Sequence, residues 1–180
     1  MRYSALTGLL LGGVLLASGA IAEAAPRTKS LPPAAKISFP TQAGAFKRQG
    51  PPQRDPFGYP TATYWAGALA MASVFYYPNE GQSLARGHGA AREHVKLASP
   101  SAKLRSDRAE QILLGGAKRA GHRAVFTLTG PGNMPAKSQL ITFSRGDYFL
   151  KFRITYPLPH AERADKEIDR FLANFPWPGG

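Results

Sequence analysis

The closing thirty residues constrain the fold more than any other stretch. From Tyr148 to Tyr156 the chain alternates: Tyr148, Leu150, Phe152, Ile154 and Tyr156 point one way, and Phe149, Lys151, Arg153 and Thr155 the other. A period of two is a strand, with one face for a core and one basic, wetter face. Pro157 and Pro159 end that strand and suit a helix start. The period then changes. Ala161, Ala164, Ile168, Phe171, Leu172 and Phe175 share one helical face, and Glu162, Arg163, Lys166, Glu167, Asp169, Arg170 and Asn174 fill the other. Pro176 stops the helix. So amphipathic a helix needs an apolar partner, and the inner face of the preceding strand's sheet is at hand.

Upstream, Arg123 to Thr129 and Gln139 to Ser144 read as two more antiparallel strands, separated by Gly130-Pro131-Gly132-Asn133. Arg145-Gly146-Asp147 spells an adhesion tripeptide, but it falls where a hairpin turn is required. Thr61 to Ala66 and Leu69 to Tyr77, around Gly67, form a further hairpin, closed by Pro78-Asn79-Glu80-Gly81. The proline-rich 40–60 segment is expected as an ordered loop with a short strand at Ala45 to Gln49. Two helices are expected between the strand groups. One spans Ser83 to Leu97, interrupted by Gly87 and Gly89. The other starts at an Asp107 cap with Glu110, places Ala109, Ile112, Leu113, Gly116, Ala117 and Ala120 on one face, and stops at Gly121. Grouped strands without strict strand–helix alternation predict an α+β domain with a mostly antiparallel sheet.

The opposite end of the chain carries an address. Arg2 precedes an apolar run from Leu6 to Ala22, with small residues at Ala20, Ala22 and Ala24. This order is that of a secretory signal peptide over 1–24, cleaved after Ala24. A flexible, proline-bearing leader over 25–35 and a single domain over 36–180 follow. The expected localisation is periplasmic or secreted, with no transmembrane span after processing. The chain has no cysteine, which excludes disulfides, thiol chemistry and Cys-based metal sites. The net charge is +12, and Arg2 and Glu23 cancel within the signal peptide, so the mature domain keeps the whole excess. Such a field draws anions. Outside the cytoplasm these are acidic envelope proteins, lipid headgroups and cell-wall polymers; nucleic acid is not expected there.

Three stretches are informative together: GAFKRQGPPQRDPFGYPTATYW from Gly44, GGAKRAGHRAVF from Gly115, and GDYFLKFRITYPLPHAERADKEIDRFLANF from Gly146. The last resembles the closing strand and helix of PsbP-like domains. That resemblance implies a twisted antiparallel sheet flanked by helices, and small, often exported, non-catalytic accessory proteins that dock on larger assemblies. It implies no catalytic residue.

Candidate chemistry is sparse. Gly81-Gln82-Ser83-Leu84-Ala85 mimics a nucleophile elbow, but Pro78-Asn79-Glu80 intervenes after the strand, and Ser83 reads better as a helix cap. His88, His94, His122 and His160 include no i,i+4 pair, so they read as exposed or loop histidines rather than a helical zinc site. Gly115-Gly116-Ala117-Lys118 lacks the spacing of a phosphate loop. No catalytic, metal-binding or cofactor-binding residue is assigned. The surface singled out is the outer face of the closing strand, where Phe149, Lys151 and Arg153 could hold an acidic partner, although such charges also protect strand edges. The sequence thus reads as an exported, non-enzymatic binding or accessory protein. A small envelope hydrolase using Ser83, or a structural envelope protein without a discrete ligand, are the alternatives.

Overall fold

A computed structural model of the chain describes residues 37–178. The expected signal peptide and leader lie outside them. The described residues form one antiparallel sheet with a helix on each face, an α+β fold. The strands are β1 (Gln42–Ala43), β2 (Phe46–Arg48), β3 (Gln53–Arg54), β4 (Pro60–Trp65), β5 (Met71–Pro78), β6 (Lys103–Leu114), β7 (Ala117–Thr129), β8 (Pro135–Arg145) and β9 (Tyr148–Pro157). The helices are α1 (Leu84–Ala98), between β5 and β6, and α2 (Ala161–Asn174), after β9. The sheet order is β1-β2-β4-β5-β9-β8-β7-β6, with β3 paired to β4. None of the described helices is long and apolar enough to cross a membrane.

The closing strand and helix form as their periods dictate. Leu150, Phe152, Ile154 and Tyr156 are buried beneath α2, which contributes Ala164, Ile168, Phe171 and Leu172. Phe171 is the hub: its ring lies 4.5 Å from Phe46, 5.3 Å from Tyr64, 5.9 Å from Phe152 and 5.6 Å from Phe175, centroid to centroid. Tilted and edge-on pairs of this kind add to the ~1.5–3 kcal/mol that burying each large apolar side chain contributes. The β4–β5 hairpin is present, with Trp65 opposite Met71. The 40–60 segment supplies three short strands, two of which extend the sheet edge.

The second expected helix does not exist. Residues 103–129 are a long hairpin, β6–β7, turning on Gly115 and Gly116 at φ 58° and 77°, with Leu114 opposite Ala117. Two consecutive left-handed residues make the tight turn that matches strand twist. Small residues at helical spacing imitated a helix face, whereas the alternation of Ile112 and Leu114, both buried, against exposed Gln111 and Leu113 is the real pattern. Asp107 is a strand residue, not a cap. Gly121 is not a stop but a mid-strand site, where a Cβ would come within 2.8 Å of the Phe143 ring. The glycine turn also has a structural task. The Gly115 and Gly116 N–H groups donate to the Leu172 and Ala173 carbonyls at 3.1 and 3.0 Å, tying the turn to the end of α2, where the Leu172 carbonyl also accepts from the Phe175 N–H.

Candidate functional site

The side chains expected on an exposed basic sheet face lie instead beneath α1, which corrects that expectation. Phe149 is 2 % exposed, and Lys151 and Arg153 are half-buried. The alternation assigned them correctly to one face of β9; what covers that face is α1. The helix starts at Ser83, whose hydroxyl accepts from the Arg86 N–H at 3.3 Å, so Ser83 is a cap. Glycine at position 87 lets α1 approach the sheet, since a Cβ there would overlap the Phe149 ring. At the other end of the helix, Arg153 donates from Nη2 to the Ser99 hydroxyl at 2.8 Å.

Strand register sets a row of side chains across this face: Phe75 opposite Lys151, Lys151 opposite Thr142, and Thr142 opposite His122. On the Lys151 side of α1 the sheet opens into a cavity of about 470 Å³. Phe75 and Tyr77 of β5 and Phe149 and Lys151 of β9 form its floor, Ala90, Ala91 and His94 of α1 one wall, and Asp55, Phe57 and Tyr59 the other. That second wall is a built loop. Asp55 Oδ1 accepts from the N–H groups of Phe57 and Tyr59 at 3.0 and 2.9 Å, and the Asp55 N–H donates to the Tyr59 carbonyl at 2.9 Å. The proline-rich segment therefore both covers the sheet edge and walls a cavity.

Lys151 is the cavity's lysine, and the carboxylates of Asp55 and Glu80 also belong to the lining. Its Nζ sits 4.2 Å from the Phe75 ring centroid and 5.2 Å from that of Tyr77. Among the described residues no carboxylate lies within ion-pair distance of it. Burial pulls its pKa down from 10.5 to about 8; Asp55 opposes that shift and Arg153 adds to it. The ammonium is held by ring faces, with its hydration reduced. Tyr77 is pushed up to about 12 by burial. A second cleft, of about 230 Å³ between Trp65, Met71, Met134 and Tyr156, is almost wholly apolar and carries no titratable group besides Tyr156.

On the other side of the row the histidines depart from expectation. His88 is 1 % exposed, not a surface residue, while His94 and His160 are exposed and His122 is half-buried. His88 Nδ1 lies 3.0 Å from Thr142 Oγ1, and Nε2 lies 3.2 Å from Asp107 Oδ1 but outside hydrogen-bonding alignment. Arg92 pairs with the other Asp107 oxygen. Burial lowers the His88 pKa from 6.5 to about 4, against the pull of Asp107, and His122 and Arg92 lower it further. No spacing in the sequence joins residues 88, 107 and 122; only the β6–β7 hairpin and the α1 packing do.

In the adhesion-like tripeptide Arg145 ends β8, and Gly146 and Asp147 form the turn to β9. Its backbone is engaged internally: the Gly146 carbonyl accepts from Asn79 Nδ2 at 2.7 Å and the Asp147 carbonyl from the Asn79 N–H at 2.8 Å.

No family model matches the chain, and no curated protein does. Among solved structures it is similar to a protein of unknown function from Pseudomonas aeruginosa, at 18 % identity and a TM-score of 0.43, over 59 % of this chain and 74 % of that one.

Proposed function

We propose that this is an exported, non-enzymatic binding protein that takes a small organic anion with an apolar or aromatic body into the Lys151 cavity. One observation carries the reading: a half-buried ammonium without a carboxylate partner, set among aromatic rings in a cavity of about 470 Å³. A desolvated, unpaired cation is costly, and an anionic ligand would offset that cost. Phe75, Tyr77, Phe149 and Phe57 offer surface to the rest of such a ligand, in keeping with sites that are mostly apolar with a few polar anchors. The +12 charge supports it by drawing anions toward the protein. The signal-peptide pattern of residues 1–24 supports export. The order of elements, ending in an alternating strand and an amphipathic helix, supports a PsbP-like assignment within the α+β class. Compared with docking on an open basic face, this reading moves recognition of acidic envelope molecules into a cavity and restricts it to ligands small enough to enter.

The test uses 8-anilinonaphthalene-1-sulfonate and a set of aromatic carboxylates, titrated into the mature protein at about 0.15 M salt, where exposed charge attraction is largely screened. Saturable binding that weakens at least ~10-fold in Lys151→Met, equivalent to ~1.4 kcal/mol, is expected. Equal affinity in both proteins, or equal binding of uncharged analogues, would overturn the proposal.

A further inference from the structure

We infer that His88, Asp107 and His122 form a site for a divalent transition-metal cation of the zinc class, on the far side of α1 from the Lys151 cavity. The three residues come from three elements, α1, β6 and β7, and their donor atoms all lie within 4.8 Å of one another. Two imidazoles and one carboxylate are a ligand set that zinc accepts at about 2.0–2.2 Å, which in tetrahedral geometry sets donors roughly 3.3 Å apart. The present donors, at most 4.8 Å apart, would have to draw in by up to about 1.5 Å to reach that spacing.

A second observation points to a ligand independently of the clustering. His88 is 99 % buried, and its Nε2 has no hydrogen-bond partner even though Asp107 Oδ1 lies 3.2 Å away. A buried ring nitrogen left open is uncommon. Its other nitrogen, Nδ1, is 3.0 Å from the Thr142 hydroxyl. In the tautomer that donates from Nδ1–H to that hydroxyl, the Nε2 lone pair faces the carboxylate, and a cation between the two would relieve their repulsion. Metal-bound histidines are held in this way, by a hydrogen bond from the nitrogen that does not bind.

Arg92 bears on the site in two ways. Its guanidinium occupies the second oxygen of Asp107, which leaves Oδ1 as a single ligand atom, an outer-shell arrangement. It also places a positive charge beside the cation and so lowers affinity. His122 is half-buried and Asp107 is at the surface, so the fourth coordination position faces water. The site is therefore open in the manner of exchangeable zinc, with three protein ligands and one solvent ligand.

The probe is Zn²⁺ alone, titrated calorimetrically into chelator-treated protein, with Co²⁺ absorption as a second readout of coordination. One equivalent per chain is expected. His122→Gln and Asp107→Asn, which conserve shape, should each weaken binding at least ~10-fold. Arg92→Gln should tighten it by removing the competing charge. His94→Ala, an exposed histidine elsewhere on α1, should leave it unchanged. Absence of saturable binding in the unaltered protein, or affinity that falls equally in His94→Ala, overturns the inference. So does retention of full affinity in both His122→Gln and Asp107→Asn, which would make the cluster a structural His–Asp contact.

Discussion

The two faces of the sheet are built on different principles. The face beneath α2 is an aromatic core in which Phe46, Tyr64, Phe152, Phe171 and Phe175 touch in a ladder. Where it turns polar, every partner is supplied: Gln139 Nε2 donates to the Tyr156 hydroxyl at 2.8 Å and to Asp165 at 2.7 Å, and Lys137 reaches Asp165 at 3.1 Å. The face beneath α1 has a small apolar core of Ala91, Val95, Ala124, Phe126 and Leu140, flanked by the row of Lys151, Thr142 and His122. The two buried side-chain atoms without a partner among the described residues, His88 Nε2 and Arg92 Nε, are both on α1. A fold can leave polar groups unsatisfied on one face because the other face supplies the stability. The α2 face holds the molecule together, and the α1 face has groups to spare for ligands.

The contrast can be broken first where it is strongest. Phe171→Ala removes a fully buried hub of the α2 core and should cost about 3–5 kcal/mol in urea unfolding. A loss below ~1 kcal/mol would mean that face is not the stabilising one.

A smaller effect separates two glycines of one helix. Gly87→Ala forces a methyl into the Phe149 ring and should destabilise by about 1–3 kcal/mol, through overpacking. Gly89→Ala meets nothing closer than Arg92 Nη2 at 3.9 Å, so it should gain about 0.5–1 kcal/mol from helix propensity. Denaturation midpoints for the pair would show opposite signs. A shared sign would mean that α1 does not sit where Gly87 alone lets it.

The smallest effect sharpens the electrostatic side. Lys151 gives up its proton at about pH 8 in the folded chain, against 10.5 for a free side chain, with burial as the main cause. Between those values the unfolded chain holds more protons, so stability should rise with pH. Tyr77, raised by burial to about 12, works the other way above pH 10, since there the unfolded chain loses its phenolic proton first. The clean window is therefore pH 8 to 10. Thermal unfolding across it should show an upward slope that Lys151→Met flattens, and parallel profiles would remove Lys151 from the desolvated set.

How much of this was legible varies with the physics of each segment. β9 and α2 could be read because their periods, two and then 3.6, are long and unbroken. The β4–β5 hairpin and α1 were legible from β-branched runs and from Ser83 at the cap. The β6–β7 hairpin was misread because alanine and glycine occupy helical spacing without burying anything at it, while Gly115-Gly116 was itself a hairpin signal. For the candidate site, alternation put Phe149, Lys151 and Arg153 on one face correctly. It could not say that α1 lies over that face, because Gly87 reads as a helix breaker until Phe149 is seen beneath it. His88, Asp107 and His122 share no local pattern; their meeting is a product of tertiary packing alone.

The strand order has a consequence in time rather than in space. β5 pairs on one side with its hairpin neighbour β4 and on the other with β9, so Met71 must find Thr155. Everything between them, α1 and three strands, is made before that seam can close. Contacts so distant along the chain slow the search for the native state. A polypeptide emerging amino-end first from a ribosome or through a narrow passage would hold β1 to β5 as an unzipped margin until β9 arrived. Closure of the sheet and docking of α2 then wait for every earlier element to be delivered, and a chain cut short before β9 has half a sheet with nothing to join.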